Sequence, residues 1–217
     1  PVTRERKQTS FDDFIAAAEH LIAAGYTSPR KLAIRGASNG GLLVTASMIQ
    51  RPELFAAVLA DVPATDMLRR GRSGTGAVQA DQWGTPQDPV QFKAMYAYSP
   101  LHNVARDRCY PATLLTTAAN DDRLPPWHAY KLTAALQSAQ SCQHPIVLHV
   151  RESGGHGGSG DAAAWFDDVA NQLAFAARAL GPVAGTATMV QPAAAGSGQP
   201  ADGAARGKDA PPQSDGR

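Results

Sequence analysis

The segment at residues 35–41 constrains the fold of this chain more than any other. A short strand-like run at residues 31–35 leads into it, and a helix-like run at residues 42–50 follows it. The pattern Gly-x-Ser-x-Gly lies between the two runs, with Ser38 at its centre. The sequence therefore predicts a sharp turn that carries a serine between a strand and a helix.

This order of strand, turn and helix is typical of the nucleophile elbow of α/β-hydrolases. We expect side chains at Gly36 and Gly40 to collide with neighbouring backbone, which explains the small residues there. The helix behind Ser38 directs its positive end at the turn, and the backbone N–H of Asn39 would stabilise a developing oxyanion. The alternative is a glycine-rich loop that only turns the chain. An acid and a histidine in the right order would decide between the two.

Composition and charge argue against other classes of function. The 217 residues are enough for one domain with a sizeable core. A net charge of +1 offers no electrostatic reason to expect nucleic acid or a membrane surface as a partner. No apolar run approaches the roughly 20 residues of a membrane span. The two cysteines, Cys109 and Cys142, lack metal-type spacing, and we expect them to be buried or free thiols. We expect no metal and no organic cofactor.

The chain opens at Pro1 without an initiator methionine or a signal-like segment. We therefore interpret it as a fragment or a processed piece. Its localisation stays open between the cytoplasm and a periplasmic or secreted location.

Strand-like and helix-like segments alternate along the chain. Strands are expected at residues 31–35, 55–60, 113–118 and 145–150, and helices at 10–24, 42–50, 92–98, 125–139 and 162–180. The alternation predicts a partial doubly wound, mostly parallel sheet of the α/β class. Residues 61–90 are expected to be loop with short helical pieces that shape a substrate pocket.

The composition changes at Val183. From there on Ala, Gly, Pro, Ser and Gln dominate and no aromatic residue occurs. Such a segment cannot bury enough apolar surface to offset the entropy of ordering it. The sequence predicts a partial hydrolase domain at residues 1–182 and a disordered tail at residues 183–217.

A serine hydroxyl needs a base, and the base needs an acid that orients it. Asp121 and Asp122 follow a predicted strand, and His156 follows the last strand in a glycine-rich loop. The order serine, aspartate, histidine is that of α/β-hydrolases. His156 is preferred among the six histidines because it alone lies in such a loop. Spacing does not separate Asp121 from Asp122.

Several motifs together resemble the C-terminal part of the catalytic domain of prolyl oligopeptidase-family serine peptidases. They occur between Gln8 and about Leu180. They include Ser10-Phe11-Asp12-Asp13-Phe14, Gly36-Ala37-Ser38-Asn39-Gly40-Gly41-Leu42-Leu43-Val44, Arg51-Pro52-Glu53-Leu54-Phe55, Tyr98-Ser99-Pro100-Leu101-His102-Asn103-Val104, Asp121-Asp122-Arg123-Leu124-Pro125-Pro126 and Gly155-His156-Gly157.

The resemblance implies an α/β-hydrolase fold and a peptidase that hydrolyses short peptides, after proline, through an acyl-enzyme. It implies Ser38 as nucleophile, His156 as base and Asp121 as acid. It also implies that Arg123 binds a substrate carbonyl. The alternatives are a related peptidase or esterase of other specificity, or an inactive truncated fragment.

Two departures from the family pattern bear on specificity and activity. The family's proline-stacking tryptophan falls near Gln79 here, with Trp83 a few residues later. We assign Trp83 and Leu124 to the substrate-binding residues. A second oxyanion donor, a tyrosine hydroxyl, and a β-propeller are expected upstream in the full-length parent. The isolated chain is therefore expected to be weakly active, inactive or poorly folded.

Overall fold

The computed structural model describes residues 2–72, 74–158 and 161–182. They belong to one compact unit, Pro1–Pro182. The predicted tail at residues 183–217 lies outside the described residues.

Four parallel strands form a single sheet in the order β1-β2-β3-β4. Their bounds are β1 Ala33–Ala37, β2 Ala57–Asp61, β3 Ala112–Ala118 and β4 Ile146–Arg151. The register pairs Ala37 with Asp61, and Asp61 with Thr116. The carboxyl ends of the strands therefore share one edge, which is where open α/β sheets bind ligands. The sequence predicted each of these strands within two residues of its bounds.

Six α-helices accompany the sheet in the described residues. They are α1 Gln8–Ala23, α2 Asn39–Gln50, α3 Ala80–Trp83, α4 Pro89–Tyr98, α5 Trp127–Ala139 and α6 Ala162–Leu180. Apolar residues of α1, α2 and α5 pack with strand residues such as Val58 and Leu115 into the main core cluster. No residue of α6 belongs to that cluster, and α6 packs against β2 and β3. Among these helices none combines the length and apolar character needed to cross a membrane.

The segment between β2 and α4 contains short helical pieces, as the sequence predicted. A 3-10 helix, Met67–Arg72, and a second one, Ala77–Gln79, precede α3. Helix α4 starts at Pro89, earlier than predicted, because Asp88 caps it by accepting hydrogen bonds from Val90 N and Gln91 N. Aspartate followed by proline is a helix-start signal, and it could have been recognised in the sequence.

The cysteine prediction was wrong. Cys109 and Cys142 form a disulfide, and their Cα atoms lie 5.2 Å apart. Cys109 lies in the loop before β3 and Cys142 in the loop before β4. Because these two strands are parallel neighbours, the loops that enter them meet at the same end of the sheet. The sequence spacing of the cysteines carries no sign of that proximity.

The disulfide closes a long loop, since its cysteines are 33 residues apart. Replacing both residues (Cys109→Ser with Cys142→Ser) should lower the free energy of unfolding by about 2–4 kcal/mol, because the unfolded chain regains loop entropy. Urea denaturation measures this loss. A thiol reductant should destabilise the unsubstituted chain and leave the double variant unchanged. Equal denaturation midpoints for both chains would contradict the prediction.

Candidate active site

The turn at Ser38 has the strained backbone of a nucleophile elbow. Ser38 lies between β1 and α2 with φ 58° and ψ −115°, a conformation that L residues rarely adopt. A Cβ atom at Gly36 would lie 2.1 Å from the carbonyl oxygen of Gly40, so only glycine fits there. Ser38 N donates to Asp61 O at 2.8 Å, which fastens the turn to the end of β2.

The expectation of a backbone collision at Gly40 was wrong. A Cβ atom there would meet no atom within 4 Å. The second close approach occurs at Gly41, where a Cβ atom would lie 2.8 Å from Pro63 Cα. The local pattern Gly-x-Ser-x-Gly does not contain this constraint, because Pro63 belongs to the loop after β2.

The structure brings Ser38, His156 and Asp121 together at the carboxyl edge of the sheet. His156 Nδ1 lies 2.8 Å from Asp121 Oδ2, and His156 Nε2 lies 2.9 Å from Ser38 Oγ. An ionised carboxylate only accepts hydrogen bonds, so Nδ1 carries the proton and donates it. The Nε2 lone pair then accepts from the serine hydroxyl. This is the arrangement in which histidine can remove the serine proton.

Backbone groups hold the Asp121 carboxylate in place. Its Oδ1 accepts hydrogen bonds from Arg123 N at 3.0 Å and Leu124 N at 2.8 Å, which leaves Oδ2 for the imidazole. The Asp121 side chain is fully buried, and that of His156 is 14% exposed. Asp122 is exposed. Spacing in the sequence left the two aspartates equivalent, and in the structure Asp121 is the one that contacts His156.

Two hydrogen-bond donors follow residues of the site in the sequence, Asn39 directly after Ser38 and Arg123 two residues after Asp121. Asn39 is the first residue of α2, and the first N–H groups of a helix have no acceptor within it. The positive end of the α2 dipole is directed at the same place. Arg123 is exposed, and no hydrogen bond or ion pair of the described residues uses its guanidinium. Both groups are therefore available to a ligand.

A profile of the prolyl oligopeptidase family matches residues 1–183. The chain belongs to the prolyl oligopeptidase family. Its fold is that of the α/β-hydrolase catalytic domain in this family.

Curated relatives and solved structures agree with this assignment. Prolyl endopeptidase of Elizabethkingia meningoseptica is 40% identical over 180 residues, which are 82% of this chain and 26% of that protein. Prolyl oligopeptidase A of Galerina marginata is 38% identical over 182 residues, 83% of this chain and 25% of the relative. The chain thus spans about a quarter of the length of these relatives.

Among solved structures, one from a mechanistic study of two prolyl endopeptidases superposes with a TM-score of 0.80 at 42% identity. It covers 82% of this chain and 26% of the other. Oligopeptidase B from Leishmania major superposes with a TM-score of 0.79 at 31% identity, covering 82% of this chain and 25% of the other.

Two residues of this chain that were predicted from its sequence to bind substrate are buried. Trp83 is 2% exposed and Leu124 is 3% exposed, and both pack in a second apolar cluster with Leu42 of α2. Gln79, near the position of the stacking tryptophan, accepts a hydrogen bond from Arg70. The substrate contacts assigned to Trp83 and Leu124 stay predictions.

One group of described residues has the proximity that a metal ion needs. It consists of Cys109, Cys142 and His144, whose ligand atoms lie within 4.8 Å of one another. The two sulfur atoms form the disulfide, so neither is a thiolate that could bind a metal.

Sequence reasoning missed the histidine that supports the loop after β2. His128 lies at the start of α5 and is 2% exposed. Its Nδ1 accepts hydrogen bonds from Thr65 N at 3.2 Å and Asp66 N at 3.1 Å. Asp66 in turn lies 3.1 Å from Lys131 Nζ, one helical turn further along α5. These contacts tie the loop after β2, which forms part of the predicted pocket region, to the helix that follows Asp121.

Burial, reinforced by the charge of Arg70, lowers the pKa of His128 from its usual 6.5 to about 3. The neutral imidazole is therefore the native form. At pH values between these two pKa values the unfolded chain binds more protons than the folded chain. The free energy of unfolding therefore falls as the pH falls. The slope contributed by one such group is about 1.4 kcal/mol per pH unit.

The variant His128→Asn tests this contribution to acid stability. Its side-chain oxygen can still accept the two backbone N–H groups, but it does not titrate. Urea denaturation between about pH 7 and pH 5 should therefore show a shallower loss of stability in the variant. The exposed residue His20 supplies the control, since His20→Asn should leave the slope unchanged. An unaltered slope in His128→Asn would show that the imidazole does not limit acid stability.

Proposed function

We propose that this chain carries the catalytic residues of a serine peptidase that hydrolyses short peptides, with cleavage after proline. The observation that carries the proposal is the position of His156, hydrogen-bonded to Ser38 through one ring nitrogen and to Asp121 through the other. Family membership and the names of the relatives support the same activity.

The reaction proceeds in two halves. Ser38 Oγ attacks the peptide carbonyl as His156 Nε2 takes its proton, and the imidazolium is stabilised by Asp121. The proton then passes to the leaving amine, which departs and leaves an ester on Ser38. Water attacks this acyl-enzyme with His156 again acting as base, and the carboxylic acid product is released.

Charge that develops on the carbonyl oxygen is stabilised by the Asn39 N–H at the start of α2. The chain spans about a quarter of the length of its relatives, and the family's second donor, a tyrosine hydroxyl, is expected outside that quarter. Loss of one oxyanion donor typically lowers turnover by about 10²–10³-fold. We therefore propose that the parent protein is the efficient enzyme and that the 217-residue chain turns over slowly.

Labelling with a fluorophosphonate probe tests the nucleophile and its acid. The chain should react once per molecule, and Ser38→Ala should abolish the reaction. Asp121→Asn should slow labelling by about 10³–10⁴-fold, because the wrong imidazole tautomer then faces the serine. Asp122→Asn is the matched control, and its labelling rate should stay unchanged. A folded chain that does not label, or equal effects of the two aspartate variants, would count against the proposal.

The hydrogen bond between Arg70 and Gln79 supports an alternative specificity, which is cleavage after a small residue other than proline. Gln79 accepts a hydrogen bond from Arg70 near the position where the family carries its stacking tryptophan. A pocket without that aromatic ring gains less from burying a proline ring. The alternative is therefore a related peptidase on the same fold that cleaves after another small residue.

Paired substrates separate the two specificities. The parent protein should be assayed with two peptides that are identical except for the residue before the cleaved bond. This residue is proline in one peptide and alanine in the other, and the two kcat/KM values are compared. Cleavage after proline predicts a preference of at least about tenfold for the proline peptide, because the pocket discriminates by apolar contact. Equal values would favour the alternative. The variant Gln79→Trp should raise the preference for proline, since it restores an aromatic surface.

A further inference from the structure

A cavity beside Trp83 has a cationic wall. Its volume is about 660 Å³, within the range of sites that bind small ligands. Arg69, Arg70 and Arg72 line it, and none of the described lining residues is an aspartate or a glutamate. Arg69 is compensated, because its Nη1 lies 3.3 Å from the buried carboxylate of Asp66. The other two arginines have no such partner among the described residues.

Arg70 is the most constrained of the three. It is 5% exposed. Its Nη2 donates to the neutral side chain of Gln79, and its guanidinium carbon lies 5.1 Å from the centre of the Trp83 ring. The remaining nitrogen atoms, Nε and Nη1, are buried and have no hydrogen-bond partner in the described part of the chain. The side chain is therefore held in place with two donor nitrogens unused.

A buried guanidinium without a carboxylate is an uncompensated charge. Burial and the nearby charge of Arg123 lower the pKa of Arg70 to about 10, so the group is still charged at neutral pH. Buried N–H groups without acceptors destabilise a protein, and a carboxylate that binds there would offset this cost. Guanidinium groups bind carboxylates better than any other side-chain cation does.

The cavity is connected to the candidate active site through one apolar cluster. Trp83 packs in one cluster with Leu42 and Leu124. Leu42 N donates to Ser38 O at 3.1 Å, and Leu124 N donates to Asp121 Oδ1 at 2.8 Å. Trp83, which lines the cavity, thus belongs to the same apolar cluster as residues that hydrogen-bond to Ser38 and to Asp121.

We propose that this cavity binds a carboxylate of the peptide substrate, with Arg70 as its donor. The proposal rests on the peptidase function proposed above and adds a determinant of specificity to it. The carboxylate has two possible sources, an aspartate or glutamate side chain and the C-terminus of a short peptide. In both cases Arg70 makes acidic peptides better ligands than neutral peptides of the same shape.

Calorimetric titration of the Ser38→Ala chain tests the preference without turnover. Three proline-containing peptides of equal length are compared. The first has a glutamine and an amidated C-terminus, the second replaces the glutamine with glutamate, and the third keeps the glutamine but has a free C-terminal carboxylate. At least one carboxylate peptide should bind about tenfold more tightly than the neutral peptide, the ratio expected for one charge-assisted hydrogen bond. Whichever of the two binds tightly identifies the source of the carboxylate.

Three substitutions locate the effect, each in the Ser38→Ala chain. Arg70→Met should abolish the preference. Gln79→Glu should abolish it too, and without loss of the fold, because the new carboxylate would pair with Arg70 and occupy its donors. Arg106→Gln removes an exposed arginine that lines none of the cavities described, and it should leave the preference unchanged. Circular dichroism establishes that each variant is folded.

The outcomes separate this inference from the peptidase function. Equal affinity for all three peptides, or no binding of any of them by a folded chain, overturns the carboxylate site. So does a preference that survives both Arg70→Met and Gln79→Glu. If the unsubstituted chain labels with fluorophosphonate while the peptides bind equally, the inference fails and the peptidase function stands. If labelling fails but an Arg70-dependent preference is present, the peptidase function fails and the anion-binding cavity stands.

Discussion

The close approach of Gly36 to the Gly40 carbonyl is the constraint on which the site depends. It lets the chain turn from β1 into α2 within a single residue, and it holds Ser38 at positive φ. That strain is held by the surrounding structure, since Ser38 N is bonded to Asp61 O and Gly41 lies against Pro63. The serine hydroxyl and the first N–H groups of α2 consequently face the same point in space.

The parallel sheet brings the other two residues of the site to the edge at which Ser38 lies. Because β1 to β4 share one direction, the loops after β1, β3 and β4 all emerge at one edge, although the residues they carry are far apart in sequence. Asp121 and His156 meet Ser38 there. The disulfide between Cys109 and Cys142 acts at the opposite end, joining the loops that enter β3 and β4. The strands between these two ends are thus constrained at both.

The pocket region is organised by buried polar groups rather than by an apolar core alone. His128 accepts two backbone N–H groups from the loop after β2, and Asp66 in that loop pairs with Lys131 and Arg69. Of these groups, Asp66 is compensated by two cations, whereas His128 Nε2 is buried and has no hydrogen-bond partner in the described part of the chain. Arg70 differs from Asp66, because its charge is buried and among the described residues its hydrogen-bond partner is a neutral amide. This contrast between two charged residues of one segment is the reason for assigning Arg70 to ligand recognition.

The sequence alone determined the elements and their order, because strand and helix patterns and the steric needs of a turn are local properties. The four strands, the helix at Ala162–Leu180 and the elbow at Ser38 could be predicted for that reason. The tertiary structure decided which of two adjacent aspartates contacts His156, that Cys109 meets Cys142, and that Gly41 rather than Gly40 has no room for a side chain. Among the described residues, it also left Arg70 without an acidic partner. Each of these contacts depends on strand register and on partners that are distant in the chain. No local pattern in the sequence indicates that such residues lie close together.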